Sequence, residues 1–378
     1  MSHLRFLKEV SILGSRRKKL SYLDNVWYCA ALSEELSTKP LRRIICEEAL
    51  VLFRTESGRA AVLEDRCSHR QAPLSLGVVI GEEIQCNYHG FVFGCDGACT
   101  HAPQQATAPR AAKIEAYSVV ERWGYVWIWW GDKSLADESL LPRMPWTEDA
   151  GHRTVYFRFE VKANAQLIAD NVLDLSHTDF LHRHNIGSKA SAKGQLDTPV
   201  AEIKCWTEGD VVHYERRLRN TMIGAVAAKW TGTDGPVDRI STQMWEKPNT
   251  MHIKLEFVNS KIHTTINMEH MATPETSTTT HYFMNWTRNF GLDDINYPTD
   301  KDVRQEQMAV IGGEDLPMIE AQQKNILQFN EVRDIAAMQD RYVVEVHRKL
   351  LDLYREADIP IPPEIERSVI ARTSMAGA

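Results

Sequence analysis

Two short stretches constrain this 378-residue chain more than anything else in it: Cys67-x-His69 and, sixteen residues further on, Cys86-x-x-His89. Together they offer two thiols and two imidazoles, the ligand set of one metal site, so any fold must bring them side by side. Tetrahedral zinc takes the same donors. Zinc sites, however, commonly put both cysteines on one loop and both histidines on the other. Here each loop supplies one of each, so two thiolates can hold one iron of a [2Fe–2S] cluster while two imidazoles hold the other. Neutral imidazoles in place of thiolates raise the reduction potential, which suits an electron relay. The flanking text agrees: CSHRQAPLSLG brings Pro73 and Gly77 for a tight loop, and CNYHGFVFGCDGAC places Gly90, Gly94 and Gly97 where backbone must pass close to sulfur.

With 43% hydrophobic and 25% charged residues the chain reads as an ordinary globular protein, long enough for one large domain or two. A net charge of −7 argues against nucleic acid as a partner, which needs a clustered positive face. The run Arg16, Arg17, Lys18, Lys19 reads as a solvated segment end. No apolar stretch is long enough for a membrane span, and Lys8 and Glu9 interrupt the start where a signal peptide needs an apolar core, so the expected location is the cytoplasm. Seven cysteines at uneven spacing suit a reducing compartment. Cys29, Cys46, Cys95, Cys99 and Cys205 are expected as buried small apolar side chains, with Cys95 and Cys99 near enough to the ligand loops to touch a cluster.

The whole reads as an α+β fold in two parts. After an N-terminal segment (1–25), strand-like runs follow one another through 26–135: VWYCAAL, RRIICEEALVLFR, AAVLEDR, EIQCNYHGFVF and SVVERWGYVWIWW. This predicts an all-β cluster domain. ADESLLPRMPWTED, with its prolines and acids, reads as a linker. The second domain, 150–378, opens with a strand in YFRFEVKA and a helical pattern in NAQLIADNVLDLSHTDFLH. Strands are expected in VVHYERRLR, DRISTQMWE, MHIKLEFV, TTINMEHMA and TTTHYFMNWTR, a turn at the Thr/Ser cluster 276–280, and helices from about Val303 to Glu356, closed by IPIPPE. The expected architecture is an antiparallel sheet flanked by helices.

A second constellation lies in the helical pattern. Asn171, Asp174 and His177 stand at steps of three, one row of a helix, and His182 lies five beyond His177. A step of five leaves that row, so the helix must end or loosen for both imidazoles to meet one ion. Two histidines are a weak signal in a chain with 14, and His184 competes. A carboxylate would complete a 2-His-1-carboxylate face, which leaves positions open for dioxygen on a non-heme Fe(II). Asp315, in GGEDLPMIEAQQ at the start of the C-terminal helix, is a candidate, with Glu314 and Glu320 as rivals. Acids at a helix start are equally expected from the helix dipole, so the residues alone leave the choice open.

Taken together, CSHRQAPLSLG, CNYHGFVFGCDGACTHAP and ADNVLDLSHTDFLH resemble the oxygenase components of Rieske non-heme iron aromatic-ring oxygenases, over nearly the whole chain. Within that superfamily the chain is most similar to the vanillate O-demethylase branch and its O- and N-dealkylating relatives, through RQAPLSLG, FLH closing the second motif, TPET at 273–276 and the E-D-x-x-x-x-E-A segment. The resemblance implies a [2Fe–2S] cluster on Cys67, His69, Cys86 and His89. Neither loop has the second cysteine that staples respiratory Rieske proteins, so the lower-potential oxygenase type is expected. It also implies a mononuclear Fe(II) on His177, His182 and Asp315, and a head-to-tail homotrimer in which Asp174 links a cluster histidine of one subunit to His177 of the next. Asp174 would also keep His177 in the metal-binding tautomer. Asn171 takes the family's position beside the iron, with a plain helix-surface amide as the alternative. Dioxygen would be the cosubstrate. NAD(P)H would act through a separate flavin reductase, with or without a ferredoxin, docking near His69 and His89, because the chain shows neither G-x-G-x-x-G nor a plant-type ferredoxin cysteine run.

The activity so implied is monooxygenation of a substituted aromatic at the carbon beside an oxygen or nitrogen, followed by loss of the alkyl group as an aldehyde. Ring cis-dihydroxylation, or hydroxylation of an aromatic acid, is the alternative on the same site. A non-enzymatic Rieske electron carrier is the alternative of another class. The pocket is expected between the helix face of Val172 and Leu175 and sheet residues in 218–230, 252–270 and 281–288, including Ile223, His270, Phe283 and Trp286. Each could equally be core. No carboxylate-binding arginine stands out; Arg217, Arg219 and Arg288 are candidates that could face water.

Overall fold

A computed structural model describes residues 22–187, 201–293, 295–329, 335, 337–363 and 365. The basic run at 16–19 and most of the N-terminal segment lie outside the described residues. The N-terminal part is three small antiparallel sheets. One joins β1 (Val26–Leu32), β10 (Tyr125–Trp130) and β9 (Val119–Arg122). The second is β2 (Leu41–Ile45), β3 (Glu48–Arg54) and β4 (Ala60–Glu64), and the third β5 (Val78–Ile80), β6 (Glu83–Gln85), β7 (Val92–Gly94) and β8 (Cys99–His101). RRIICEEALVLFR is two strands rather than one, because Cys46 and Glu47, with φ of 50° and 68°, reverse the chain in two residues.

All of YVWIWW is buried because β10 is covered on both faces. Val126, Ile128 and Trp130 enter the main core, while Tyr125, Trp127 and Trp129 pack with Trp27, Met271 and Phe283. Strand β3 divides in the same way. Leu50 and Leu52 join the main core, and Val51 and Phe53 a smaller one that also holds Cys67, Leu74, Ile84, Cys86 and Phe93. The ligand loops are thus rooted in packed side chains. Of the other cysteines, Cys29 and Cys46 are buried but Cys95, Cys99 and Cys205 only half-buried; the Cys95 and Cys99 thiols meet the carbonyls of Glu82 and His101, each at 3.3 Å.

The second part is built on one seven-stranded antiparallel sheet: β11 (Arg153–Val161) beside β17 (Thr279–Arg288), then β16 (His263–Thr276), β15 (Thr250–Val258), β14 (Pro236–Glu246), β13 (Val211–Met222) and the edge strand β12 (Glu202–Glu208). The sequence reading has no counterpart of β12, whose residues are almost all exposed and so lack an apolar alternation. Residues 225–230, read as sheet, fall instead in the helix α2 (Ala225–Thr231), after α1 (Ala165–Leu173). Helix α1 is shorter than its sequence pattern. Asn164 caps it by accepting from Leu167 N at 2.9 Å, Asp174 leaves helical geometry, and a 3-10 turn covers Leu175–Asp179. The row Asn171, Asp174, His177 is therefore not carried on one helix. Further on come α3 (Asp300–Gln307), a π-helical turn over Met308–Asp315, α4 (Leu316–Phe329) and α5 (Arg341–Glu356). Helix α1 covers the inner face of β15, β16 and β17, and α5 packs on β13.

The TPET phrase is where the two parts join. Cys46 N and Glu47 N donate to the carbonyls of Pro274 and Glu275 at 2.8 and 2.9 Å, and Thr273 Oγ1 donates to Cys29 O at 2.7 Å. On the outer face of the sheet, Trp146 of the linker donates to buried Glu269 at 2.9 Å. Next to it stands His252, 3.1 Å from Glu246. Burial alone would lower the His252 pKa, but the carboxylates of Glu246 and Glu269 outweigh it and raise it to about 9. No described helix is long and apolar enough to cross a membrane.

Candidate functional site

Cys67 and Cys86 open loops of the same build. The Cys67 carbonyl accepts from Gln71 N at 2.8 Å and its N–H donates to Ala72 O at 2.9 Å; the Cys86 carbonyl accepts from Gly90 N at 2.9 Å and its N–H donates to Phe91 O at 2.8 Å. The two loops close over the same number of residues although the histidine stands two places after one cysteine and three after the other. Gln71 and Gly90 occupy the matching positions with positive φ, 62° and 73°. A Cβ on Gly77 would lie 2.3 Å from the Gln85 carbonyl oxygen, so the strand entering the second loop presses on the chain leaving the first.

Both cysteines are buried, whereas His69 and His89 are exposed with ring centroids 4.8 Å apart. Burial pushes the Cys67 thiol up and the neighbouring Cys86 thiol adds to it, against hydrogen bonds from backbone N–H groups of His69 and Arg70. Among the described residues, only His177, His182 and Asp315 bring three such donors within 4.8 Å of one another. Thiols paired inside and imidazoles paired outside fit a two-iron cluster, one pair to each iron.

At the second constellation, His177 Nε2 and His182 Nε2 lie 3.5 and 3.2 Å from Asp315 Oδ1, with the rings 5.1 Å apart and 77° inclined. Each imidazole is held from behind. His177 Nδ1 donates to the Asp174 backbone carbonyl at 2.5 Å, and His182 Nδ1 donates to Glu314 Oε2 at 2.6 Å. A proton held on Nδ1 leaves each Nε2 lone pair for a metal. Burial lowers the His177 pKa; at His182 burial acts the same way, but the Asp315 and Glu314 carboxylates outweigh it and raise that pKa.

Asp315 is 6% exposed and closes the π-helical turn inside a helix that runs on from Asp300 to Phe329, so a helix dipole does not account for it. Glu314 stands behind His182, with Oε1 accepting from Asn185 Nδ2 at 2.7 Å, while Glu320 caps Lys162 N at 3.1 Å and His184 is exposed. Asn171 Nδ2 donates to Asp315 Oδ1 at 3.2 Å, so it is not a free surface amide. The Asp174 carboxylate does not reach His177. It accepts from Ser176 N and Oγ at 2.9 and 3.0 Å, and the orienting contact comes from its backbone carbonyl instead.

Around this centre, Val172, Leu175, Ile223 and Trp286 pack in the main core. His270 Nδ1 meets Tyr282 OH at 2.7 Å and burial pushes its pKa down to about 3, which keeps the ring neutral; its Nε2 has no hydrogen-bond partner among the described residues. Phe283 is a correction. One residue out of step with Tyr282 and Met284, it faces the other side of the sheet among Trp27, Trp127 and Met271. A hollow of about 190 Å³ bordered by Asn185, Val226, Trp230, Glu306 and Val310 opens beside the partner of Glu314.

None of the three candidate arginines is available as an anchor at this centre. Arg217 alternates to the outer face, Arg219 is exposed and grips Glu202 at 2.6 Å, and Arg288 is tied to Asp300 at 2.9 Å and to the carbonyls of Gly291 and Pro298. Two arginines the sequence reading passes over, Arg216 and Arg239, are buried on the inner face. The signal is present: Val212, Tyr214 and Leu218 on one strand, and Val237 and Trp245 on the other, set an alternation that points both arginines inward.

Two family models match the chain: the Rieske [2Fe-2S] domain over residues 26–118 and the vanillate O-demethylase oxygenase C-terminal domain over residues 161–356. The chain is 33% identical to the oxygenase component of dicamba O-demethylase from Stenotrophomonas maltophilia, across 88% of this chain and 97% of that protein. It is 30% identical to the oxygenase component of chloroacetanilide N-alkylformylase from Rhizorhabdus wittichii (strain DC-6 / KACC 16600), across 87% and 94%. The crystal structure of dicamba monooxygenase bound to 3,6-dichlorosalicylic acid superposes with a TM-score of 0.82 at 32% identity, covering 89% of this chain and 99% of that one. The structure of the same protein with non-heme iron and dicamba gives 0.75 at 29% identity, with the same coverage.

Proposed function

The chain belongs to the Rieske non-heme iron oxygenases, in the branch that shares the vanillate O-demethylase catalytic domain, and on that premise we propose that it is the terminal oxygenase of a multicomponent system that removes an O- or N-alkyl group from a substituted aromatic. The observation that carries this reading is the presence in one chain of a His177–His182–Asp315 face, with His182 and Asp315 buried and His177 half-buried, and a separate pair of Cys/His loops. Cys67, His69, Cys86 and His89 would hold the [2Fe–2S] cluster, and His177, His182 and Asp315 a mononuclear Fe(II). Bound there, and supplied with electrons by the cluster, the iron would let dioxygen hydroxylate the carbon next to the heteroatom, and the product would collapse to a phenol or amine and an aldehyde.

The chain's own part is positioning. The Asp174 carbonyl and Glu314 fix the two imidazole orientations, and Asn171 fixes the rotation of the Asp315 carboxylate. Three donors on one side leave the other side for substrate and dioxygen. The exposed His69 and His89, with exposed Leu76 and Tyr88 on the same two loops, support a docking face there. The partners would be a flavin reductase that draws on NAD(P)H, directly or through a ferredoxin, and the next subunit of a head-to-tail homotrimer. Asp174 would carry electrons across that contact to His177. Its half-buried carboxylate and its carbonyl bond to His177 suit the task.

The test is anaerobic reconstitution with iron, then NADH, a flavin reductase and air with a panel of methoxy- and N-alkyl-arenes, scoring aldehyde, oxygen uptake and iron content. Aldehyde in step with oxygen, with iron in excess of the cluster's share, supports the proposal. A cis-diol moves the assignment to ring dihydroxylation, and iron confined to the cluster with no product moves it to an electron carrier.

A further inference from the structure

Strand β14 turns a polar strip inward where β15 beside it presents Ile253, Leu255 and Phe257: Arg239, Ser241 and Gln243 are 6%, 1% and 1% exposed. The strip lies against the segment that carries the candidate iron ligands. Gln243 Nε2 donates to Val172 O at 3.3 Å and Arg239 Nη1 to Ile186 O at 3.4 Å, so the two anchoring carbonyls bracket His177 and His182 along the chain. Arg216, one strand over, reaches Asp179 Oδ2 at 3.8 Å, and Asp179 ends the 3-10 turn of His177. Arg239 lies over the Phe257 ring at 6.0 Å.

Charge and hydrogen bonding do not balance here. Among the described residues, the charges that act on Arg239 are one guanidinium, Arg216, and one carboxylate, Asp179, which itself reaches Arg216 at 3.8 Å. Among the described residues, Arg239 Nε and Gln243 Oε1 are buried without a hydrogen-bond partner, and the bond to Ile186 is long. A guanidinium offers five donors and cannot shed its charge at neutral pH. Burial, and after it Arg216, lower its pKa to about 10, still well above neutrality. Burying such a group short of acceptors costs more than a satisfied bond returns. An arrangement of this kind is stable in use when something outside the chain brings the missing acceptor.

We propose that Arg239, flanked by Arg216, anchors an oxyanion of the substrate, a carboxylate or sulfonate on the arene, so that the enzyme acts on anionic rather than neutral alkoxy- or alkylamino-arenes. The flat fork of Arg239 takes two oxygens of one such group side by side. Gln243 Oε1 remains to accept from a hydroxyl or amine on the ring. Held at β14, the ring lies against the His177–His182 segment. The inference rests on the oxygenase reading for the ligand's being the substrate, but the anion site stands on its own observations.

The test uses the holoenzyme, cluster and iron loaded, and anaerobic calorimetric titration with 3-methoxybenzoate, 3-methoxybenzenesulfonate and neutral 3-methoxybenzamide. The wild type should bind at least one anion about 10- to 100-fold more tightly than the amide, as one or two charge-assisted bonds allow, and Arg239→Met should reduce that ratio to about threefold or less. Arg239→Lys should keep part of the preference. Melting without ligand separates an anchor from a structural strut: Arg239→Met should melt at or above the wild-type temperature because it removes an unsatisfied buried charge, and the stabilisation by added anion should be confined to proteins that keep the charge. An amide bound as tightly as both anions, or an anion preference that survives Arg239→Met, overturns the proposal. Arg239-dependent anion binding with no aldehyde from any methoxyarene would keep the anchor and overturn the dealkylation reading instead. The tighter of the two anions identifies the oxyanion.

Discussion

Replacing Glu314 tests whether the second imidazole is steered from behind or whether Glu314 is itself a ligand. Its two oxygens divide between His182 Nδ1 at 2.6 Å and Asn185 Nδ2 at 2.7 Å, while Asp315 alone faces both Nε2 atoms. Glu314→Ala removes both acceptors and frees the His182 ring to rotate and to change tautomer. Losing such an outer partner of a metal-bound histidine costs about 10- to 100-fold in metal affinity, or about 1.4–2.7 kcal/mol. Because the Glu314 side chain is 28% exposed, water replaces part of what is lost, and about 10- to 30-fold is the expected range for alanine.

Glu314→Gln keeps an acceptor for Nδ1 but loses the charge, and its amide group then faces the amide of Asn185; about 3- to 10-fold is expected. Asp315→Ala removes a ligand and should abolish mononuclear binding. The assay is anaerobic competition for Fe(II) against a colorimetric chelator, with the cluster absorbance as an internal control that the protein is folded. An affinity for Glu314→Ala within about twofold of wild type would refute the steering role. A loss as complete as that of Asp315→Ala would make Glu314 a ligand.

Asp174→Asn keeps an acceptor for Ser176 N, so the 3-10 turn should hold and both metals should load, but turnover coupled to product should nearly vanish; full activity with reductase and substrate would remove Asp174 from the electron route. Gly77→Ala drives a methyl to 2.3 Å from the Gln85 carbonyl and 2.8 Å from that of Leu74, both backbone atoms, and should cost at least about 2 kcal/mol together with part of the cluster absorbance; an unchanged melting curve would contradict the packing of the two loops. For His252 the folded pKa of about 9 exceeds the ordinary 6.5, so its stabilisation is full below about pH 6.5 and is lost as pH rises through about 9. Melting temperature should fall across that window in the wild type and more shallowly in His252→Gln, and identical slopes would dissolve the Glu246–His252–Glu269 arrangement.

The candidate cluster ligands are legible in the sequence because each cysteine and its histidine share one short loop, so spacing alone reports proximity. Asp315 stands far along the chain from His182, and the π-helical turn that points it inward has no compositional mark beyond Gly312 and Gly313. The contact that holds His177 is equally invisible, since it comes from a backbone carbonyl that any residue at 174 would supply. Phe283 goes astray, and Arg217 is left open, for another reason: with a period of two, a single residue decides the face, and each is one step from a neighbour that does point inward. Arg216 and Arg239 obey the alternation of their strands and are passed over only because arginine is expected at the surface. The π turn and the buried arginines thus break different local rules on two sides of one segment, Val172–Ile186, whose two histidines meet the carboxylate of one and which lends carbonyls to the other. Local rules are kept elsewhere in the domain, where Val237 and Trp245 or Val212 and Leu218 fill the same faces with apolar groups. A stretch where propensity, periodicity and polarity stop agreeing while its neighbours still agree is under a demand other than folding, and here that demand coincides with the pair of histidines.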